Sequence, residues 1–170
     1  MRPEDQDSGQ GRYAVVPRTL VFVSRETPAG REELLLIRGA PDKRLWAGKY
    51  NGIGGHLEAG ESPAASARRE LREETGLDVE QLDLRAIVHI TLPESPGIIL
   101  FVFIGTGPSG KLTASAEGLP VWVDREGWST LPLVEDLPQL LPRLLAAHAE
   151  RSMIYGVYHV TDAGLRMAFD

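Results

Sequence analysis

The sequence contains no cysteine, which excludes disulfide bonds, thiolate nucleophiles and zinc sites built on cysteine. It also lacks any apolar run of the roughly 18 residues that a membrane-spanning helix needs. Basic residues are outnumbered, with 18 Lys and Arg against 24 Asp and Glu, and the net charge is −6. This balance argues against a nucleic-acid polymer or a membrane as partner, although a metal ion can still bring phosphates to an acidic protein.

A length of 170 residues, with 42% hydrophobic and 25% charged residues, is typical of one globular domain with a sizeable core. Residues 1–12 are polar and rich in glycine, and we expect them to be disordered, with a single domain over residues 13–170. The first residues do not resemble a signal peptide, so a cytoplasmic location is expected. Composition leaves both a monomer and a homodimer open.

Alternation and short apolar runs predict most of the secondary structure. Leucines at helical spacing predict a helix between Glu135 and Arg151, in which Pro138 suits the first turn and Pro142 predicts a kink or a late start. The order of elements predicts an α/β fold, with a mixed sheet and helices on its faces. Strands are predicted at residues 19–23, 33–37, 82–91, 98–104, 121–123 and 153–160, with the wholly apolar run at 98–104 in the centre of the sheet.

A second helix is predicted directly after residue 62. Ser62 is a good N-cap, Pro63 suits the first helical position, and Gly76 is placed to end the helix. Small and apolar side chains on one side of this helix predict the face that packs on the sheet. That predicted face consists of Ala64, Ala67 and Leu71.

Three carboxylates share another stripe of the same helix. At about 100° per residue, Glu70, Glu73 and Glu74 lie close together, and like charges at these spacings do not stabilise a helix. A hard divalent cation would reverse this effect, because carboxylate oxygens are its preferred ligands. Arg69 lies four residues before Glu73 and can hold that carboxylate in place.

Gly55, Glu61 and the run Arg69-Glu70-Leu71-x-Glu73-Glu74-x-Gly76-Leu77 together resemble the complete Nudix box. The resemblance implies the Nudix α/β/α sandwich with a mixed central β-sheet. It also implies a Mg²⁺-dependent hydrolase of nucleoside diphosphates linked to another group, with Mn²⁺ as a possible substitute. The implied partner is a nucleotide substrate.

Residues 47–55 resemble the approach to this box in MutT-type oxidised-purine nucleotide diphosphatases, where an asparagine contacts the purine. The leading hypothesis is therefore cleavage of a purine nucleoside triphosphate, such as 8-oxo-dGTP, into the monophosphate and pyrophosphate. By the same resemblance, the base would be bound by Thr19, Arg38, Asn51, Glu135 and Asp136. Gly55 and His56, in the turn before the helix, are further candidates for substrate binding.

The resemblance also implies the groups that do the chemistry. The general base is left open between Glu70 and Glu117, and Arg69 is expected to orient a glutamate. Glu61 is expected either to accept hydrogen bonds from backbone amides or to bind metal. The metal ligands implied are Gly54, through its carbonyl, together with Glu70, Glu73, Glu74 and Glu117.

One departure bears on the substrate. The MutT-like branch has an aromatic residue just before its acidic pair, and this chain has Leu133. Two other functions therefore stay open. One is hydrolysis of ADP-ribose or a nucleotide sugar, and the other is a non-catalytic module that senses nucleotides.

Overall fold

A computed structural model of the chain describes residues 13–93 and 96–170, so the predicted disorder of residues 1–12 lies outside the described part. The strands and helices follow the predicted order, with one strand added at the end. They are β1 (Val15–Glu26), β2 (Glu32–Gly39), β3 (Tyr50–Asn51), α1 (Pro63–Thr75), β4 (Leu77–Thr91), β5 (Gly97–Gly110), β6 (Gly118–Asp124), α2 (Leu137–Glu150), β7 (Ile154–Thr161) and β8 (Gly164–Phe169), with a 3₁₀ turn at Trp128–Thr130 before α2.

The eight strands form one mixed sheet in the order β3-β2-β1-β5-β4-β7-β8, and β6 also pairs with β2. The pairs β1–β5 and β4–β7 are parallel, and the other pairs are antiparallel. The apolar strand β5 lies between β1 and β4, which confirms its predicted central position.

Alternating side chains of the sheet pack against a helix on each face. On β1, Val21 and Val23 join the core under α1, whereas Leu20 and Phe22 join the core under α2. The buried leucines of α2 complete the second core. The result is the predicted α/β/α sandwich with a mixed central sheet.

The predicted start and end of α1 are confirmed. The Ser62 hydroxyl accepts a hydrogen bond from the Ala65 N–H at 3.2 Å, and Gly76 ends the helix with φ at 74°. The predicted apolar face is only partly right. Ala67 and Leu71 are buried, but Ala64 is exposed, because the contact with the sheet begins a turn later in the helix.

The remaining differences lie at the ends of elements. Strands β4 and β5 extend through residues 77–81 and 105–110, where they pair with each other and give weakly apolar sequence a partner. Strand β8 was not predicted. Pro142 lies inside α2 on its exposed side, so water can reach the carbonyl group that loses its donor. In the described part of the chain, no helix is both long enough and apolar enough to cross a membrane.

Candidate active site

The chain that leads into α1 is inserted between β1 and β2. Ile37 of β2 pairs with Asn51, and Ile53 exchanges two backbone hydrogen bonds with Val21 of β1, at 2.6 and 3.0 Å. The Thr19 N–H then donates to the carbonyl of Gly55 at 2.9 Å. This insertion places Asn51, the predicted base contact, and Gly54, the predicted metal ligand, on one short segment that is hydrogen-bonded to both strands.

Both glycines of the turn lie in close contact with neighbouring atoms, of the backbone at Gly54 and of a side chain at Gly55. A Cβ on Gly54 would lie 2.0 Å from the carbonyl oxygen of Thr19, so no side chain fits between the turn and β1. A Cβ on Gly55 would lie 2.2 Å from Oε1 of Glu70. The absence of a side chain there lets a carboxylate of α1 reach the turn.

Arg69 connects the turn with the carboxylates of α1. Its Nε and Nη2 donate to the two oxygens of Glu61 at 3.0 and 3.1 Å. Its Nη1 donates to Glu70 at 2.9 Å and to Glu73 at 3.2 Å, and Nη2 also donates to the His56 carbonyl at 3.1 Å. The hydrogen bond from Arg69 is the main cause that lowers the pKa of Glu61. In this structure Glu61 anchors Arg69, and Arg69 orients two proposed metal ligands.

Glu74 is the buried carboxylate of the site, with 6% of the residue exposed. Its pKa is raised to about 8, chiefly by burial and also by the charges of Glu70 and Glu117, although a hydrogen bond from the backbone of Gly54 acts in the opposite direction. Glu117 comes from the loop before β6 and pairs with Lys43, whose Nζ lies 2.5 Å from the carboxylate. Several carboxylates therefore lie close together in a site that is partly shielded from solvent.

The chemical nature of the proposed ligand atoms fits Mg²⁺. All the proposed ligands are oxygens, and a buried, crowded carboxylate such as Glu74 is stabilised by a nearby cation. Across residues 13–93 and 96–170, no three acidic or histidine side chains are arranged as a ready metal site. The reason is visible in the side chains, since Glu73 is 59% exposed and bonded to Arg69, and Glu117 is bonded to Lys43.

We expect the metal-free protein to lose stability as the pH rises from about 4.5 to about 8. The folded pKa of Glu74 lies above the ordinary value of 4.5, so in this window the folded protein holds a proton that the unfolded chain has released. The contribution to stability is therefore complete below pH 4.5 and is lost as the pH passes the folded value. Thermal unfolding in a chelator at several pH values measures this loss. An increase in unfolding temperature across the window would contradict the assignment.

A cavity of about 420 Å³ joins the carboxylates to the predicted base contacts. Segment 132–134 pairs with Tyr50, which brings the acidic pair to the same opening as β3. Its lining includes Gly54, Glu74 and Glu117 as well as Thr19, Asn51, Glu135 and Asp136. The structure thus brings most of the residues that were predicted for the site to one cavity.

Six of the predicted site residues do not line this cavity, namely Arg69, Glu70 and Glu73 on α1 together with Arg38, Gly55 and His56. Arg38 is exposed on β2 opposite Tyr50, beside the cavity-lining Ile37. His56 is exposed, and its backbone carbonyl, rather than its ring, is used by Arg69. Gly55 contributes space for Glu70 and does not line the cavity. Leu133 does not line it either and packs against the core under α2.

Other lining residues were not predicted from the sequence. Lys43 neutralises Glu117, and Lys49 lies 3.3 Å from Glu135, so these two proposed acidic groups each have a lysine partner. Both lysines lie in an irregular loop, where no periodicity indicates which way a side chain points. Trp46, 42% exposed, and the buried Tyr158 also line the cavity.

Comparison with known proteins identifies similar sequences. An oxidized purine nucleoside triphosphate hydrolase of Danio rerio is 33% identical over 90 residues, which is 52% of this chain and 58% of that protein. The corresponding Mus musculus protein is 32% identical over 51% of this chain and 56% of that protein. The matched region thus spans little more than half of each relative.

Solved structures share the fold. A MutT protein from Bacillus halodurans superposes with a TM-score of 0.70 at 23% identity, covering 92% of this chain and 98% of the other. The family model described as NUDIX domain matches residues 16–144, which include β1, the Gly54-Gly55 turn, α1 and most of α2. The predicted family is confirmed, and the chain belongs to the NUDIX domain family.

Proposed function

We propose that this protein hydrolyses a purine nucleoside triphosphate, with 8-oxo-dGTP as the leading candidate, to the monophosphate and pyrophosphate by attack of water on phosphorus. The observation that carries the proposal is the single cavity that joins Glu74, Glu117 and Gly54 to Asn51 and Asp136. A nucleotide has the same two-part chemistry, with charged phosphates at one end and a flat polar base at the other.

At the phosphate end, the groups that would hold Mg²⁺ are Glu70, Glu73, Glu74, Glu117 and the carbonyl of Gly54. Bound there, the metal would screen the phosphates and lower the pKa of a coordinated water. Arg69 donates hydrogen bonds to two of these carboxylates, Glu70 and Glu73, and so restricts their orientation. The general base is drawn from Glu70 and Glu117, since one carboxylate must accept the proton of the attacking water.

At the base end, the side chains supply a defined set of hydrogen-bonding groups. The Oδ1 of Asn51 already accepts from the Gly52 N–H at 2.8 Å, which leaves the Asn51 amide nitrogen as a donor for the purine. Burial raises the pKa of Asp136, and the charge of Glu135 raises it further. This shift favours a carboxyl group that can donate as well as accept. Such a group suits the lactam edge of an oxidised purine.

The test is a substrate panel with Mg²⁺, comprising oxidised and normal purine triphosphates, ADP-ribose, a nucleotide sugar and a dinucleotide polyphosphate. We expect pyrophosphate and a monophosphate from the triphosphates, with the oxidised guanine nucleotide cleaved most efficiently. Product analysis by anion-exchange chromatography distinguishes pyrophosphate release from stepwise release of phosphate. Cleavage of ADP-ribose alone would show that the assigned substrate class is wrong.

A matched control separates catalysis by this site from contamination. The variant Glu73→Gln, purified in the same way, should lose most of the activity while its circular dichroism spectrum stays unchanged, because Glu73 is largely exposed and carries little of the fold. A chelator should abolish the wild-type reaction, and Mn²⁺ should restore part of it. Activity that persists in the variant would place the chemistry elsewhere.

A further inference from the structure

Two residues that line the cavity carry a buried hydroxyl group without a hydrogen-bond partner. In the part of the chain that the structure describes, four buried side-chain polar atoms lack a partner, and two of them, Thr19 Oγ1 and Tyr158 Oη, belong to residues that line this cavity. An unpaired buried hydroxyl costs folding free energy, so its presence calls for a physical reason. The family resemblance already implies a role for Thr19 in binding the base, whereas it implies no role for Tyr158.

The ring of Tyr158 is held in one position. Its strand, β7, lies between β4 and β8, and the residue is 1% exposed. The ring of Phe169 packs edge-on against it, with centroids 5.7 Å apart and planes at 81°. The Tyr158 carbonyl accepts a hydrogen bond from the Thr91 hydroxyl at 3.1 Å. The phenol group therefore cannot swing away to find a partner in the protein.

The surroundings keep this hydroxyl neutral. Burial raises the pKa of Tyr158, the negative charge of Asp136 raises it further, and Arg143 acts in the opposite direction. A neutral phenol can both donate and accept one hydrogen bond. Thr19 also carries a hydroxyl group and lines the same cavity, so two lining residues have a group that can take either role.

We propose that Tyr158 is a specificity-determining residue whose hydroxyl forms a hydrogen bond with the polar edge of the substrate's base. The proposal rests on the function proposed above and adds a substrate class to it. The favoured bases are purines with keto or amino groups on the ring, and a purine without such groups leaves the hydroxyl unpaired in the complex. A site that binds through a buried polar group discriminates strongly against an analogue that lacks the complementary group.

This assignment predicts that replacing Tyr158 affects substrate recognition without lowering the stability of the protein. Among residues 13–93 and 96–170 the Tyr158 hydroxyl has no hydrogen-bond partner, so Tyr158→Phe removes an unpaired polar group and keeps the packed ring. We expect the unfolding temperature of this variant to stay the same or to rise. A purely structural tyrosine, with its hydroxyl bonded inside the protein, would show the opposite change.

The experiment compares the wild type with Tyr158→Phe on two triphosphates, 8-oxo-dGTP and purine riboside triphosphate, whose base carries no exocyclic group. We expect kcat/KM of the variant to fall about 10- to 100-fold on 8-oxo-dGTP and to change less than about twofold on the bare purine. The control is Tyr155→Phe, because Tyr155 lies on the same strand but is 55% exposed and outside the cavity. It should match the wild type on both substrates.

The outcomes distinguish the two proposals. Suppose that the wild type cleaves triphosphates. If Tyr158→Phe then keeps the wild-type preference for 8-oxo-dGTP, or loses activity equally on both triphosphates, the proposed role of Tyr158 is wrong and the proposed function stands. A lowered unfolding temperature of the variant would also overturn that role. If the wild type cleaves neither triphosphate, the function itself is wrong and the role of Tyr158 falls with it.

Discussion

Replacing Glu74 by Gln is expected to lower turnover by about 100- to 1,000-fold without lowering the stability of the metal-free protein. The loss follows from removing a buried anion that faces the phosphate end of the cavity. The unchanged or increased stability follows from the same burial, because Gln is neutral and of similar size, whereas an ionised Glu74 is held among other carboxylates. Steady-state kinetics and thermal unfolding in a chelator measure the two effects.

The response to metal provides an independent check of this prediction. Ligand binding raises the unfolding temperature in proportion to the logarithm of ligand concentration over its dissociation constant. We expect Mg²⁺ to stabilise the wild type more than Glu74→Gln at pH 8. The control is Glu150→Gln, at the exposed end of α2, which should behave as the wild type in every measurement. Near-normal turnover in Glu74→Gln would remove Glu74 from the proposed ligand set.

Replacing Arg69 by Lys is expected to lower kcat by about 10- to 100-fold although the charge is kept. Arg69 contacts Glu61, Glu70, Glu73 and the His56 carbonyl at once, which requires the several donors of a planar guanidinium. A lysine ammonium cannot reach all of these groups, so the carboxylates lose their orientation. A misplacement of about 1 Å at catalytic groups is enough for a loss of this size.

The neighbouring arginine offers a matched control. Arg68 donates to the Asp78 carboxylate at 2.7 Å and to the Val79 carbonyl at 2.6 Å, away from the acidic stripe. Arg68→Lys should therefore lower stability slightly and change kcat by less than about threefold. Equal losses of kcat in the two variants would mean that Arg69 acts only through the stability of α1.

Much of the fold follows from local sequence. The cap at Ser62, the end of α1 at Gly76 and the apolar strand β5 depend on residue types whose preferences do not need distant partners. The extensions of β4 and β5 were missed for the opposite reason, because their sequences are only weakly apolar and a paired neighbour supplies the hydrogen bonds. Strand β8 is different, since Leu165, Met167 and Phe169 alternate along it and pack against the core under α2.

Some features of the candidate site can likewise be predicted from the sequence, and others cannot. The spacing of Glu70, Glu73 and Glu74 on a helix is visible in the sequence, and so is the pair of glycines before it. The sequence does not reveal that Glu74 is buried while Glu73 points to water, because both lie near the edge of one stripe. Lys43 and Tyr158 could not be found from the sequence, since only the fold brings their loop and strand to the cavity.

The inserted segment between β1 and β2 has a consequence for the length of the substrate. Asn51 and Gly54 are three residues apart on this extended stretch, a separation of about 10 Å at the usual rise of a strand. Hydrogen bonds of Ile53 with Val21 lock the stretch to the sheet, so this separation is fixed. If the base is bound at Asn51 as proposed, this fixed separation determines which bond of the phosphate chain reaches the carboxylates.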